Sequence, residues 1–207
     1  MLQIKVCGLR DPENIQAVIR LKVDYIGLIF YPGSKRYVGS DFNLNQIQNR
    51  NGVKKVGVFV NAPLEEVQKI VDTLALDAVQ LHGQESPEYC RDLQGKGLEI
   101  IKAFGIDAEM DWTAVQTYQG VVDYFLWDTR TAGHGGSGRR FDWQVLKGYT
   151  LDIPYFLSGG LGPGNIQEAL NIQDTRLYGL DLNSKFELRP GFKDIQLLDK
   201  TLLEIRK

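Results

Sequence analysis

Short apolar runs alternate with helical patterns eight times along this chain, and that alternation restricts its fold more than any other feature. The runs are Leu2–Val6, Tyr25–Phe30, Lys55–Val60, Ala78–Leu81, Glu99–Ala103, Tyr124–Trp127, Tyr155–Leu157 and Leu177–Asp181. Strands that recur after each helix form a parallel sheet joined by right-handed crossovers. Eight units in 207 residues average about 26 residues each, which short connections accommodate. Eight is also the number that closes a barrel. The expected fold is an α/β, single-domain (β/α)8 TIM barrel over residues 1–207. An open doubly wound sheet is the structural alternative, but no dinucleotide-type glycine fingerprint follows the first run.

Helix starts support the spacing. Asp11-Pro12-Glu13 offers an N-cap followed by proline at the first helical position. Pro63 with Glu65 and Glu66, and Ser86-Pro87-Glu88, open two more helices. The last helix runs from about Asp194 to Ile205, with Ile195, Leu197, Leu198, Leu202, Leu203 and Ile205 at mixed helical spacing. The fifth, around Ala108–Tyr118, begins raggedly.

With 24 basic and 26 acidic residues the net charge is -2, too balanced for a nucleic-acid surface. No apolar run approaches the roughly 20 residues of a membrane helix. The start, MLQIKVCGLR, reads as a strand rather than a signal peptide. Cys7 and Cys90 form no disulfide framework. The expectation is a cytoplasmic enzyme with no nucleic-acid or membrane partner, monomeric or homodimeric.

In such barrels the chemistry sits where strands end and loops begin at the C-terminal face. Cys7 stands there after the first strand, beside Gly8, as a small buried hydrophobe or a reactive thiol. Asp128 closes the apolar run 124–127; a carboxylate there is costly unless paired or used, and a loop anchor is the plainer alternative. The following loop contains Gly133, Gly135, Gly136 and Gly138, as a lid or a surface loop would. Arg36, after the second strand, carries a guanidinium fork suited to a carboxylate, or is simply solvated. His82 ends the fourth strand, as a structural residue, a substrate contact or an aid to loop geometry. No Cys/His cluster completes a metal site around it.

Two loops at the seventh and eighth strands read together. Gly159, Gly160 and Leu161 follow one, and Asn183 and Ser184 follow the other. This loop pair frequently binds phosphate in barrel enzymes, through backbone N–H groups that glycine lets approach the anion.

The order of these blocks resembles the phosphoribosylanthranilate isomerase family along nearly the whole chain. The matching blocks are Lys-Val-Cys-Gly-Leu (5–9), Gly27, Phe30, Ser-Lys-Arg (34–36), Val-Gly-Val-Phe-Val-Asn (56–61), Val-Gln-Leu-His-Gly (79–83), Asp128, Gly-Gly-Ser-Gly (135–138), Phe-Asp-Trp (141–143), Ser-Gly-Gly-Leu (158–161) and Pro-Gly-Phe-Lys-Asp (190–194). One departure is Lys185, where the family usually has glycine. It puts in doubt the backbone shape of that loop.

The resemblance implies an isomerase of tryptophan biosynthesis. The reaction is the Amadori rearrangement of N-(5-phosphoribosyl)anthranilate to 1-(2-carboxyphenylamino)-1-deoxyribulose 5-phosphate. It implies Asp128 as general acid, Cys7 as general base, Arg36 and His82 as substrate-binding residues, and a phosphosugar as the small-molecule partner. It implies no cofactor and no metal, because an iminium serves as the electron sink. The acid must hold its proton and the thiol must lose its own, both against their reference values. The sequence leaves open which positive charge favours the thiolate, the iminium or a nearby cation.

The rivals fit less well. An indole-glycerol phosphate synthase would need a catalytic lysine and glutamate on early strands, and a two-aspartate histidine-pathway isomerase an aspartate in place of Cys7. A non-catalytic phosphosugar-binding barrel would bind without turnover.

Overall fold

A computed structural model describes residues 2–40, 42, 52–95, 97–130 and 140–207. Its strands are β1 (Gln3–Val6), β2 (Tyr25–Ile29), β3 (Lys54–Phe59), β4 (Ala78–Leu81), β5 (Glu99–Ile106), β6 (Tyr124–Thr129), β7 (Tyr155–Leu157) and β8 (Leu177–Leu182). Each pairs in parallel with the next, and β8 pairs with β1, Lys5 opposite Asp181, so the barrel closes. The open-sheet alternative is excluded.

The helices follow from their caps. In α1 (Pro12–Arg20) the Asp11 side chain accepts from Asn14 N, and in α3 (Pro87–Leu93) Ser86 accepts from Tyr89 N. α2 (Leu64–Leu74) starts after Pro63 and ends at Ala75 in the left-handed conformation. The ragged fifth helix is a five-residue α4 (Trp112–Gln116), capped by Asp111. Between β6 and β7 stands a 3₁₀ segment, Trp143–Gly148. α5 (Ile166–Leu170) and α6 (Ile195–Ile205) complete the shell. Among the described residues no helix is long and apolar enough to cross a membrane.

Two features differ from the sequence reading. β5 and β6 run on to Ile106 and Thr129, because the ladder continues through Gly105–Asp128 and Ile106–Thr129. Asp128 therefore lies in a strand, not after one. Beyond β8 the chain makes a short antiparallel pair, β9 (Glu187–Arg189) with β10 (Phe192–Lys193), before α6.

Successive side chains of a strand face opposite sides. Ile4, Val6, Phe125 and Trp127 face the helices and join the large apolar core. The other set fills the barrel: Tyr25, Val56, Ala78, Ile101, Ala103, Leu126 and Phe156 form their own cluster. The same period turns Lys5 and Cys7, Gln80 and His82, and Asp128 and Ser158 inward at the C-terminal end. A register shift between β7 and β8 at Tyr155/Phe156 lets Tyr178 and Asp181 both point inward despite their odd spacing.

Candidate active site

Cys7 follows β1 directly, its amide donating to Leu182 O at 2.9 Å, and it is 3 % exposed. It faces Gly27 of β2, where a Cβ would come within 2.6 Å of the Cys7 sulfur, so only glycine leaves room for the thiol. Two residues earlier on the same face, the fully buried Lys5 ammonium donates to Asp181 at 2.8 Å, and Ser158 Oγ donates to the other Asp181 oxygen at 3.3 Å. Burial pushes the Cys7 thiol up; the Lys5 charge pulls it down, Asp181 opposes, and Lys193 pulls it down again. The net direction is upward.

Asp128 is 7 % exposed on β6. One carboxylate oxygen accepts from Thr129 N at 2.8 Å, and the other faces His82 Nε2 at 3.4 Å. His82 is fixed from behind: its amide donates to Phe59 O, and Gln80 Nε2 donates to Nδ1 at 2.8 Å. His82 is thus the neighbour of Asp128. The loop that carries it is pinned by a buried pair outside the barrel, Lys102 Nζ to Glu85 at 3.0 Å, with Glu85 also accepting from the amides of Asn61 and Gly83.

Arg36 leaves β2 through a turn in which its amide donates to Ser34 Oγ. Its Nε and Nη2 grip Glu187 of β9 at 2.7–3.0 Å. Glu187 also accepts from Lys193 Nζ of β10 at 2.8 Å, and that ammonium donates to Asn183 Oδ1 at 2.8 Å. Burial works to raise Glu187, but hydrogen bonds from Arg36 and the Lys193 charge outweigh it and hold the carboxyl below its ordinary range. Gly8, at φ +76°, lies under this group: a Cβ there would meet Arg36 Cδ at 2.6 Å and Asn183 Oδ1 at 2.8 Å. Position 8 therefore needs glycine for both conformation and space.

At the paired loops, Gly159 and Gly160 take φ +83° and +68°. Asn165 braces the turn, accepting from Gly162 N at 2.8 Å and donating to Gly160 O at 3.1 Å. Leu161 is buried at 2 % and belongs to the apolar core. Ser184 opens a 3₁₀ turn, Ser184–Phe186. Lys185 is exposed, and its stem lies against Gly162, bringing the two loops together.

The glycine-rich loop expected as a lid, with Gly133, Gly135, Gly136 and Gly138, lies outside the described residues. Among those described, no group of three or more His, Cys, Asp and Glu side chains is arranged to hold a metal ion. Sequence reading placed Cys7, Asp128, His82 and Arg36 at one end of the barrel but assigned no role to Lys5, Glu187 or Lys193. A lysine two positions before a strand-end cysteine was the available sign for Lys5. Glu187 and Lys193 sit on a hairpin outside the barrel, so neither stands directly after a barrel strand, where the sequence reading looked for site residues.

A depression lined by Gln3, Lys22, Asp24, Tyr25 and Lys54 lies at the N-terminal ends of β1–β3. It is remote from all of these groups.

Comparison with known proteins places the chain in a family. The family model for N-(5'phosphoribosyl)anthranilate (PRA) isomerase matches residues 4–203. The N-(5'-phosphoribosyl)anthranilate isomerase of Parabacteroides distasonis is 48% identical over 204 residues, 98% of this chain and 92% of its own length. The crystal structure of the Thermotoga maritima phosphoribosyl anthranilate isomerase superposes with a TM-score of 0.86 at 32% identity, covering 100% of this chain and 99% of its own. Another, in complex with reduced 1-(o-carboxyphenylamino)-1-deoxyribulose 5-phosphate, gives 0.82 at 29% identity, with 100% and 99% covered. With the match running from β1 into α6, this chain belongs to the N-(5'-phosphoribosyl)anthranilate isomerase family.

Proposed function

We propose that this protein catalyses the Amadori rearrangement of N-(5-phosphoribosyl)anthranilate to 1-(2-carboxyphenylamino)-1-deoxyribulose 5-phosphate. The observation that carries the reading is a buried thiol and a buried carboxylate, Cys7 and Asp128, at the same end of a closed barrel.

Asp128, protonated, donates to the furanose ring oxygen; the ring C–O bond breaks and the anilino nitrogen supplies its electron pair, giving a protonated Schiff base. Cys7, as thiolate, takes the C2 proton, and the C–H electrons flow toward the iminium to give an enolamine. Tautomerisation yields the aminoketone. His82 beside Asp128 holds the acid in place and borders the sugar. Arg36 and Lys193 set two cations against the one carboxylate of Glu187, which leaves a net positive charge to receive the anthranilate carboxylate. The backbone of Gly159, Gly160 and Leu161, with Asn183 and Ser184, receives the phosphate.

The test is a fluorescence assay for loss of phosphoribosylanthranilate with purified protein. Steady turnover is expected. Binding of the product without turnover would make the chain a phosphosugar-binding barrel instead.

A further inference from the structure

Cys7 needs a positive charge close by, because burial alone opposes a thiolate. The barrel interior contains one: Lys5 is fully buried, two residues before Cys7 on the same inward face of β1. Its Nζ is locked to Asp181 at 2.8 Å by the β1–β8 register, and Ser158 steadies Asp181 from β7. An ammonium so held cannot swing toward solvent, and its charge favours the ionised form of Cys7, two residues along the same face. Burial disfavours that ammonium, but Asp181 and the sulfur outweigh burial and keep Lys5 above the ordinary lysine range. The other charged groups acting on the thiol are Asp181 on β8, which opposes ionisation, and Lys193 on β10, which assists it less than Lys5 does. The strand on the other side, β2, presents only Gly27.

We propose that Lys5 is a positioning residue for the general base: its fixed ammonium stabilises the Cys7 thiolate, with Asp181 and Ser158 as the clamp that holds it there. The lysine does not exchange a proton with substrate. It supplies in the free enzyme the cation that the substrate iminium supplies later. The proposal rests on Cys7 being the base of the proposed reaction, but its effect on the thiol is readable without turnover.

The experiment follows carboxamidomethylation of Cys7 by iodoacetamide against pH, resolved from Cys90 by peptide mass spectrometry, in wild type and Lys5→Met. A cation at this range shifts a neighbouring group by about 1–3 units, so the midpoint is expected to rise by that much in the variant. At a fixed pH below both midpoints the rate then falls about tenfold for each unit. The acid limb of kcat/KM moves upward in step, while affinity for the reduced product analogue stays within about twofold. Should Lys5→Met not fold with Asp181 left buried and unpaired, the midpoint of Lys5→Met/Asp181→Asn is read against that of Asp181→Asn, so that the two proteins differ only in the lysine charge.

An unmoved midpoint in a folded variant overturns the proposal, even if activity falls, because that is what a purely structural lysine gives. A midpoint shift between the two proteins, with a wild type that never consumes phosphoribosylanthranilate, overturns the assigned reaction and leaves the lysine–thiol coupling standing.

Discussion

At the N-terminal end of the barrel, β2, β6, β7 and β8 point Tyr25, Tyr124, Phe156 and Tyr178 inward; further along the same four strands stand Gly27, Asp128, Ser158 and Asp181. The aromatic end is closed by edge-to-face contacts, Tyr25 on Phe156 at 5.3 Å and Phe156 on Tyr178 at 5.2 Å. Its hydroxyls satisfy one another and Glu99, which also pairs with Lys54. Burial and the Tyr178 hydroxyl hold the Tyr25 and Tyr124 phenols far above their ordinary range, so both hydroxyls keep their protons. The other end buries Lys5, Asp181, Asp128 and Lys193 at 0–7 % exposure. Such groups are expensive to bury, and an apolar filling would stabilise the barrel at least as well. One end of the barrel is therefore built for stability, and the other carries the costly groups to which the proposed chemistry is assigned.

The sharpest separation should come from the charged end. Cys7→Ser and Asp128→Asn are each expected to lower kcat by about 10²–10⁴-fold, since each removes one proposed general acid–base group from a nearly isosteric side chain. Melting temperature and affinity for the reduced product analogue should stay close to wild type. The double variant should lose less than the product of the two, because both groups serve one sequence of steps. Loss of binding as severe as loss of rate would make these residues structural and erase the contrast.

The aromatic end should behave in the opposite way. Phe156→Ala empties the middle of the plug and is expected to cost about 3–5 kcal/mol in denaturant unfolding. Under conditions where the variant remains folded, its kcat/KM should match wild type within about twofold. A large rate loss in folded protein would show that the plug also shapes the catalytic end.

The strands were legible because their apolar runs and turn residues are local. The placement of Cys7 and Asp128 at one end of the barrel was legible because both stand at strand ends, where barrel chemistry concentrates. What escaped is long-range. Lys5 meets Asp181 across 176 residues and Arg36 meets Glu187 across 151, and no local pattern encodes either pair. The carboxylate-binding role expected of Arg36 now has to be read through its grip on Glu187. The extension of β6 through Asp128 likewise depends on β5 alongside it, not on the residues of β6 alone.

The smallest effect is expected at Lys185, where the family pattern has glycine, and it bears on how far the charged end extends into the loops proposed to bind phosphate. Lys185 does not require the backbone freedom of glycine: the non-glycine residues with positive φ among those described are Lys22, Asn61 and Ala75. Its stem rests on Gly162, a contact that a glycine at 185 would forgo. Its ammonium is exposed, so any attraction to a bound phosphate is screened by solvent and salt. Lys185→Gly should therefore weaken binding of inorganic phosphate by no more than about fivefold at low ionic strength, within the range of exposed ion pairs. The difference should vanish near 1 M salt, where the Debye length is about 3 Å. Isothermal titration of both proteins across a salt series measures this directly. A loss above tenfold that persists at high salt would mean the lysine stem, and not its charge, sets the shape of the loop.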